Sequence, residues 1–251
     1  IETSTTTIQV LGINDFHGRI SANPGSAQAG AASLAGAVQA LRAENPNTML
    51  VSAGDNIGGS TYVSSSQQDD PTIDALVAAG LDASAVGNHE FDRGMDDLLN
   101  RVVPRYGDGR YALGANVYDA ETGETLLDEY WMETYDGVRV AVIGTVTEQT
   151  ANAVSPAGIE GVDVGDQVEA VNRVAAELRD GIDEGDNAEA DIVVLLTHEG
   201  SSATTAEGIL AAGDDFTDIV RNTSADVNAI VSAHTHATYN VAFPVEGLGH
   251  E

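Results

Sequence analysis

Short apolar or β-branched runs alternate along the chain with polar loops and with segments rich in alanine and leucine. The runs predict six strands: Ile8–Ile13, Met49–Ser52, Ala83–Val86, Val138–Gly144, Ile192–Leu196 and Asn228–Ser232. Strands that alternate with helices are typical of an α/β layered fold. No repeat, low-complexity tract or Pro/Ser-rich linker divides the sequence, so we expect one domain over residues 1–251.

Three helices are predicted between these strands from hydrophobic spacing and from start and stop residues. The first has an apolar face of Leu34, Val38 and Leu41 and ends before Pro46, the second runs from Pro71 to Gly80, and the third from Asp166 to Gly181. A proline suits the first turn of a helix, whereas glycine suits its end. Asp166 can cap the third helix, with Glu169 three residues later.

Polar clusters directly follow five of the predicted strands. They are Asn14-Asp15-Phe16-His17-Gly18, Gly54-Asp55-Asn56, Gly87-Asn88-His89-Glu90-Phe91-Asp92, Thr197-His198-Glu199 and His234-Thr235-His236. In α/β sheets, ligands bind at the edge formed by the carboxyl ends of the strands, so we expect the five clusters to form one site. Five of the six histidines belong to these clusters, and only His250 lies outside them.

The side chains in the clusters indicate a metal site. Asp15 and His17 are two residues apart on a segment that we expect to be extended, so both can point the same way and bind one ion. His234 and His236 repeat this spacing. Seven candidate ligands exceed the roughly four that one zinc ion takes: they are Asp15, His17, Asp55, Asn88, His198, His234 and His236.

Seven ligands fit two divalent ions that share one carboxylate. Two ions about 3.5–4 Å apart would ionise a bridging water near neutral pH and hold a phosphoryl group for in-line displacement. The oxygen and nitrogen donors accept Mn, Zn, Co or Fe and do not select among them.

Each cluster also has a simpler explanation when it is taken alone. A lone Asp-x-His is usually a turn with a solvated or hydrogen-bonded histidine, and Gly54-Asp55 is most often only a turn. His198 could be a hydrogen-bonded histidine at a strand end. All five clusters occur in order, each at the end of a strand, and this joint occurrence favours the metal site.

The composition restricts the partners of the chain. It has 40 acidic and 10 basic residues, for a formal net charge of −30, and such a chain cannot form the basic face that nucleic-acid binding needs. There is no cysteine, which excludes thiolate ligands and a cysteine nucleophile.

The longest apolar run, Ile192–Leu196, is far shorter than the roughly 20 residues of a membrane span. The sequence begins at Ile1 without a methionine or a leader, as a processed chain does.

The clusters resemble the signature blocks of calcineurin-like metallophosphoesterases, and among them those of the bacterial 5′-nucleotidase/UDP-sugar hydrolase branch. Gly114-Ala115-Asn116-Val117 and Val142-Ile143-Gly144-Thr145 resemble two further blocks, and the resemblance extends from about residue 8 to residue 238. It implies a four-layer αββα sandwich of two mixed sheets with the metal site at the strand ends. It also implies a hydrolase of phosphate esters, above all of nucleoside 5′-monophosphates, that uses two divalent metal ions.

The resemblance further implies a role for each site residue. One metal would be held by Asp15, His17, Asp55 and His236, and the other by Asn88, His198 and His234, with Asp55 as the bridge. His89 would stabilise the transition state and protonate the leaving oxygen, oriented by Asp92. From the residues alone, Asp92 can fix the tautomer of His89 and raise its pKa, or it can cap a helix that begins near Arg93, and both roles can coexist.

The chain departs from the branch pattern at two points. Ser232-Ala233 precede His234 where the branch usually has Gly-Gly, and the sequence ends at Glu251, before the C-terminal domain that supplies base-stacking and arginine contacts in the branch. We therefore expect the catalytic domain of a longer, extracytoplasmic protein that has a nucleotide-binding C-terminal domain.

Several alternatives to a nucleotidase remain open from the sequence. They are a 2′,3′-cyclic phosphodiesterase or UDP-sugar hydrolase, a thiosulfohydrolase-like relative, and a catalytically silent surface domain that binds metal or nucleotide. The presence of both His89 and Asp92 favours an enzyme, because a site that only binds has no need of a histidine that is not a ligand.

Overall fold

Two main β-sheets and their helices make up the fold in the computed structural model, which describes residues 5–183 and 188–243. In these ranges the strands are β1 (Gln9–Ile13), β2 (Thr48–Ser52), β3 (Ala83–Ser84), β4 (Val117–Asp119), β5 (Tyr130–Tyr135), β6 (Val138–Val146), β7 (Val162–Val164), β8 (Ile192–His198) and β9 (Ala229–Ser232).

The helices in the same ranges lie mainly between the strands. They are α1 (Ala31–Glu44), α2 (Tyr62–Ser65), α3 (Asp70–Ala79), α4 (Met95–Asp97), α5 (Val103–Tyr106), α6 (Thr150–Ala153), α7 (Gln167–Glu177), α8 (Ala206–Ala212) and α9 (Asp215–Asn222). A π-helical turn, Leu98–Val102, joins α4 to α5, and Asn88–Phe91 forms a short 3₁₀ turn.

The two sheets differ in strand direction. The first has the order β1-β2-β3 and is parallel, whereas the second has the order β5-β6-β8-β9, with β5 antiparallel to β6 and the remaining pairs parallel. The two mixed sheets expected above are thus one parallel and one mixed sheet. Helices α1 and α3 cross over between successive strands of the first sheet, and such crossovers produce parallel neighbours. Strands β4 and β7 form a separate antiparallel pair.

Alternate side chains of the strands enter different hydrophobic layers. In β2, Leu50 packs with the residues of α1 and α3, whereas Met49 and Val51 pack between the sheets. In β6, Val142 also packs between the sheets, and Ile143 packs against α7. The order of layers is therefore helices, sheet, sheet, helices, which confirms the predicted α/β sandwich.

All six predicted strands are present, with ends that differ by at most two residues. β3 stops at Ser84 because the next residue, Ala85, forms only an isolated bridge with Leu113. The predicted cap of α7 is present, since the Asp166 side chain accepts a hydrogen bond from Glu169 N. The predicted end at Gly181 is wrong: α7 ends at Glu177, because the Leu178 carbonyl accepts a hydrogen bond from Ala190, which leads into β8.

Two of the sequence-based expectations fall on residues beyond the description. These are His250 and the amino terminus at Ile1. Within the described ranges, no helix combines the length and the apolar character that a membrane crossing requires.

Candidate metal centre

The five polar clusters meet at the carboxyl ends of β1, β2, β3, β8 and β9, as the strand pattern predicts. His234 N donates to Asp15 Oδ2 at 3.1 Å, and His89 N donates to Asp55 Oδ1 at 2.9 Å. His198 Nε2 lies 3.1 Å from Asp55 Oδ2. These contacts join loops from both sheets into one site.

Asp15, His17 and His236 form the first group of possible metal ligands. Their ligand atoms all lie within 4.8 Å of one another. Asp15 Oδ1 is 3.2 Å from His236 Nε2 and 3.8 Å from His17 Nε2. His17 Nδ1 lies 2.8 Å from Gly58 O, and this carbonyl holds the ring proton on Nδ1 and leaves the Nε2 lone pair available to a cation.

Asp55, His198, His234 and Asn88 lie on the other side of the site. The ring of His198 is completely buried, its Nδ1 lies 2.8 Å from Ala53 O, and its centroid is 5.2 Å from that of His234. Among the described residues, Asn88 Oδ1 is buried without a hydrogen-bond partner, and His198 Nε2 has no partner in hydrogen-bond geometry and only the Asp55 carboxylate at 3.1 Å. Such atoms are rare in folded proteins, and a nitrogen and an oxygen donor beside a carboxylate suit a divalent cation.

The backbone of the site is not extended, and the expectation of an extended Asp15-x-His17 segment is wrong. Asp15 and His17 have φ values of 47° and 46°, and Asp55, His234 and His236 also lie in the left-handed region. The turn arises because Asp15 N donates to Gly54 O and His17 N donates to Asp55 O, which hold the first loop against the second. Left-handed backbone at residues other than glycine is strained and concentrates at functional sites.

The electrostatics of the centre favour added positive charge. Burial raises the pKa of Asp55, but His198 and the backbone N–H of His89 outweigh it and hold this pKa below its usual value. Burial lowers the pKa of His198, yet the carboxylates of Asp55 and Asp15 raise it to about 9. The two carboxylates therefore favour a proton on the His198 imidazole. A divalent cation placed between the same groups would neutralise the carboxylates in place of that proton.

His89 is paired with Asp92 at the rim of the site. His89 Nδ1 lies 2.9 Å from Asp92 Oδ2, and this hydrogen bond raises the pKa of His89 in spite of its partial burial. Helix α4 begins at Met95, and its N-cap residue is Gly94, which has no side-chain cap. Asp92 therefore does not cap the helix that follows, so that alternative is wrong, and its carboxylate contacts His89 instead.

Glu90 is a buried part of the site to which the sequence analysis assigns no role. Its Oε2 accepts hydrogen bonds from the N–H groups of Asp55 and Gly87, and its Oε1 accepts from Asn56 and Ile57. Burial and the Asp55 carboxylate raise the pKa of Glu90 to about 7. The position of Glu90 next to His89 was the available signal, but a charged residue in a loop is usually exposed.

Two glycines allow the Asp55 loop and the Asn88 loop to approach each other. A Cβ on Gly87 would lie 2.1 Å from Asp55 Oδ1 and 2.6 Å from Asp55 N. A Cβ on Gly54, whose φ is 94°, would lie 2.5 Å from Gly87 N. Both positions therefore require glycine for steric reasons.

Comparison with known proteins gives one consistent result. The sequence model of the family described as calcineurin-like phosphoesterase matches residues 8–238. The chain is 32% identical to Endonuclease YhcR of Bacillus subtilis over 93% of this chain and 20% of that protein. It is 32% identical to a 5′-nucleotidase of Vibrio vulnificus over 92% of this chain and 40% of that protein.

A solved structure gives the same picture of the fold. The structure described as calcineurin-like phosphoesterase YfkN from Bacillus subtilis aligns with a TM-score of 0.69 and 26% identity, and the alignment covers 92% of this chain and 72% of that one. The chain thus spans between a fifth and two fifths of the length of the two relatives compared by sequence.

Proposed function

Because the chain belongs to the calcineurin-like phosphoesterase family, we propose that it is a metal-dependent phosphoesterase domain that hydrolyses nucleoside 5′-monophosphates to nucleoside and phosphate. The observation that carries the proposal is a set of metal-ligand atoms from both sheets within 4.8 Å of one another, Asp15 with His17 and His236 and Asp15 with Asp55 and His198. The buried Asn88 Oδ1, which has no hydrogen-bond partner among the described residues, adds to it. The similarity to a 5′-nucleotidase supports the choice of substrate.

The donor set fits two divalent ions. Asp15, His17 and His236 would hold one ion, and Asn88, His198 and His234 the other, with Asp55 as the shared ligand. When bound, such ions lower the pKa of water and neutralise the charge of a phosphoryl group. The chain fixes the donors, since the ring nitrogens Nδ1 of His17 and His198 face backbone carbonyls, which orients each Nε2 toward the centre.

His89 would act on the leaving group. Its imidazole is part of a cluster with His17 and Asp55, and its side chain remains one third exposed, so a substrate can reach it. Asp92 holds Nδ1 of this ring and raises its pKa, and this favours the protonated form that can donate a proton from Nε2 to the leaving oxygen.

We further propose that the chain is the catalytic domain of a longer, extracytoplasmic protein with a C-terminal domain that binds the nucleotide. The chain spans 40% of the Vibrio vulnificus 5′-nucleotidase, which supports a longer protein. Its similarity to Cell wall protein Lmo0130 of Listeria monocytogenes supports the extracytoplasmic location.

The first test is the metal content of the chain. After incubation with Mn²⁺ or Zn²⁺ and dialysis, we expect two ions per chain in the wild type and a sharp loss in Asp55→Ala. The matched control is Asp163→Ala, which removes an exposed carboxylate on β7 and should leave the content unchanged. One ion or none in the wild type would contradict the dinuclear centre and favour a silent binding domain.

The second test is hydrolysis of a substrate panel by the metal-loaded protein. We expect release of phosphate from nucleoside 5′-monophosphates, and in Asp92→Asn a large fall in turnover to a low but measurable rate, with retention of metal. A phosphodiester is the second candidate substrate, because one relative is named an endonuclease. Preference for 2′,3′-cyclic nucleotides or other diesters over monophosphates would replace the proposed substrate with this one.

A further inference from the structure

A cavity of about 290 Å³ adjoins the candidate metal centre on the side of His89. Its wall includes Gly59, Ser60, His89, Asp92, Arg93 and Arg101. His89 belongs both to this wall and to the cluster with His17 and Asp55. A molecule bound at the centre can therefore extend past His89 into the cavity.

The acidic side chains in the cavity wall are satisfied by protein groups. Asp92 pairs with His89, and Asp97 pairs with Arg101. Asp69 accepts hydrogen bonds from Ser64 Oγ and Gly58 N, and Glu90 accepts from four backbone N–H groups. These carboxylates and Arg101 already form hydrogen bonds and ion pairs within the protein, so few of their polar atoms can bind a ligand.

Arg93 differs from the other charged groups of the wall. It is exposed, and no hydrogen bond or ion pair joins its side chain to another residue in the described part of the chain. Within the described residues, six of the ten arginines form ion pairs with carboxylates, and the full chain has 40 acidic residues. Arg93 therefore contributes to the cavity wall a positive charge that no carboxylate of the described residues neutralises.

We propose that Arg93 binds an anionic group on the leaving-group side of the substrate, so that the site favours leaving groups that carry a phosphate. The inference rests on the proposed function: if His89 gives its proton to the leaving oxygen, that oxygen lies next to His89 and therefore beside this cavity. The planar guanidinium offers paired N–H donors that match two oxygens of a phosphate. A nucleoside 5′-diphosphate has such a leaving group.

The proposed step is balanced without a further reactant. The oxygen of water, having lost a proton to solvent, forms a bond to the terminal phosphorus, and the bond from that phosphorus to the bridging oxygen breaks. The bridging oxygen leaves on the nucleoside monophosphate with a proton from His89, and His89 regains a proton from solvent. Arg93 would hold the remaining phosphate of that product while the bond breaks.

The test compares two substrates in three proteins. With metal-loaded protein, kcat/KM is measured for a nucleoside 5′-diphosphate and for the 5′-monophosphate of the same nucleoside, and their ratio is compared among wild type, Arg93→Gln and Arg139→Gln. Arg139 lies at the start of β6, at the edge of the sheet opposite the metal centre, and pairs with Asp183. Its replacement by glutamine removes the same charge as Arg93→Gln. We expect the ratio to fall about threefold to tenfold in Arg93→Gln and to stay at the wild-type value in Arg139→Gln.

An unchanged ratio in Arg93→Gln, or an equal fall in Arg139→Gln, would overturn the inference. A wild type that hydrolyses neither nucleotide would refute the proposed function instead, and binding then decides the role of Arg93. In calorimetry with metal-loaded protein, methylenediphosphonate should bind more weakly to Arg93→Gln than to the wild type. Equal affinity of the two proteins for this compound would overturn the inference even in the absence of turnover.

Discussion

Replacing Gly87 by alanine tests whether the position of Asp55 determines the metal centre. The added Cβ would lie 2.1 Å from Asp55 Oδ1, whereas real Cβ contacts are essentially never closer than 3.0 Å, so this oxygen must move by about 1 Å. Rotation of the carboxylate does not suffice, because Asp55 N would lie 2.6 Å from the same Cβ. That N–H is held by Glu90 Oε2 at 2.9 Å, and moving it breaks this hydrogen bond.

The expected cost of Gly87→Ala has two parts. Overpacking of a well-packed site costs about 1–3 kcal/mol of the free energy of unfolding. A displacement of about 1 Å in a positioned catalytic group costs about 10²-fold in rate. We therefore expect a loss of metal content together with a fall in kcat of about 10²-fold, while the helices and sheets remain folded.

Gly36→Ala is the matched control for this variant. Gly36 lies within α1, and a Cβ there would meet no atom of the described residues within 4 Å. Alanine in a helix is favoured over glycine by about 0.5–1 kcal/mol, so this variant should be slightly more stable and fully active. Metal content is measured by elemental analysis, stability by urea unfolding and rate on a nucleoside 5′-monophosphate. A Gly87→Ala protein with wild-type metal content and kcat would refute the steric reasoning.

Three further predictions concern protonation, salt and the core. Activity should fall as the pH rises above the pKa of His89, because the protonated ring is the proton donor. Asp92→Asn should move this fall in the pH–rate profile to lower pH, since the Asp92 carboxylate raises that pKa. A fall at the same pH in both proteins would contradict the assignment. With a net charge of −30, kcat/KM for anionic substrates should rise with moderate salt through screening, and a steady fall from low salt upward in metal-saturated protein would count against this. Leu76→Ala, at a fully buried position of α3, should lower the free energy of unfolding by about 2–5 kcal/mol in urea, and a loss below about 1 kcal/mol would show that the helix is not anchored there.

The strands and the five clusters could be predicted because their signals are local. A buried parallel strand such as β8 begins with a continuous apolar run, and the polar residues Thr197, His198 and Glu199 follow that run directly. The β5–β6 hairpin was missed although its turn has a recognisable sequence, Asp136-Gly137, with φ values of 47° and 84° at the two residues. Such a pair between two β-rich runs is the typical signal of a type I′ turn.

The conformation of the site loops could not be predicted in the same way. Left-handed backbone at Asp15 and His17 depends on carbonyls of the Gly54-Asp55 loop, which is distant in the sequence. The burial of Glu90 likewise depends on three N–H groups from the Asp55 loop. Contacts between loops of different strands leave no periodic pattern in either segment, so only the structure reveals them.

The centre lies across the two sheets, and this makes any bound ion a link between the halves of the chain. Asp15 and Asp55 come from the first sheet, whereas His198 and His234 come from the second, and an ion held by both sets binds the folded chain but has no equivalent site in the unfolded one. Binding at 100 times Kd adds about 2.7 kcal/mol to the stability of a folded protein. Thermal stability should therefore report directly on metal occupancy, with a Tm that falls on chelation and returns with added Mn²⁺ or Zn²⁺. The same bound ions would therefore hold the two sheets together and complete the catalytic site, so that a chain that loses its metal loses stability and activity together.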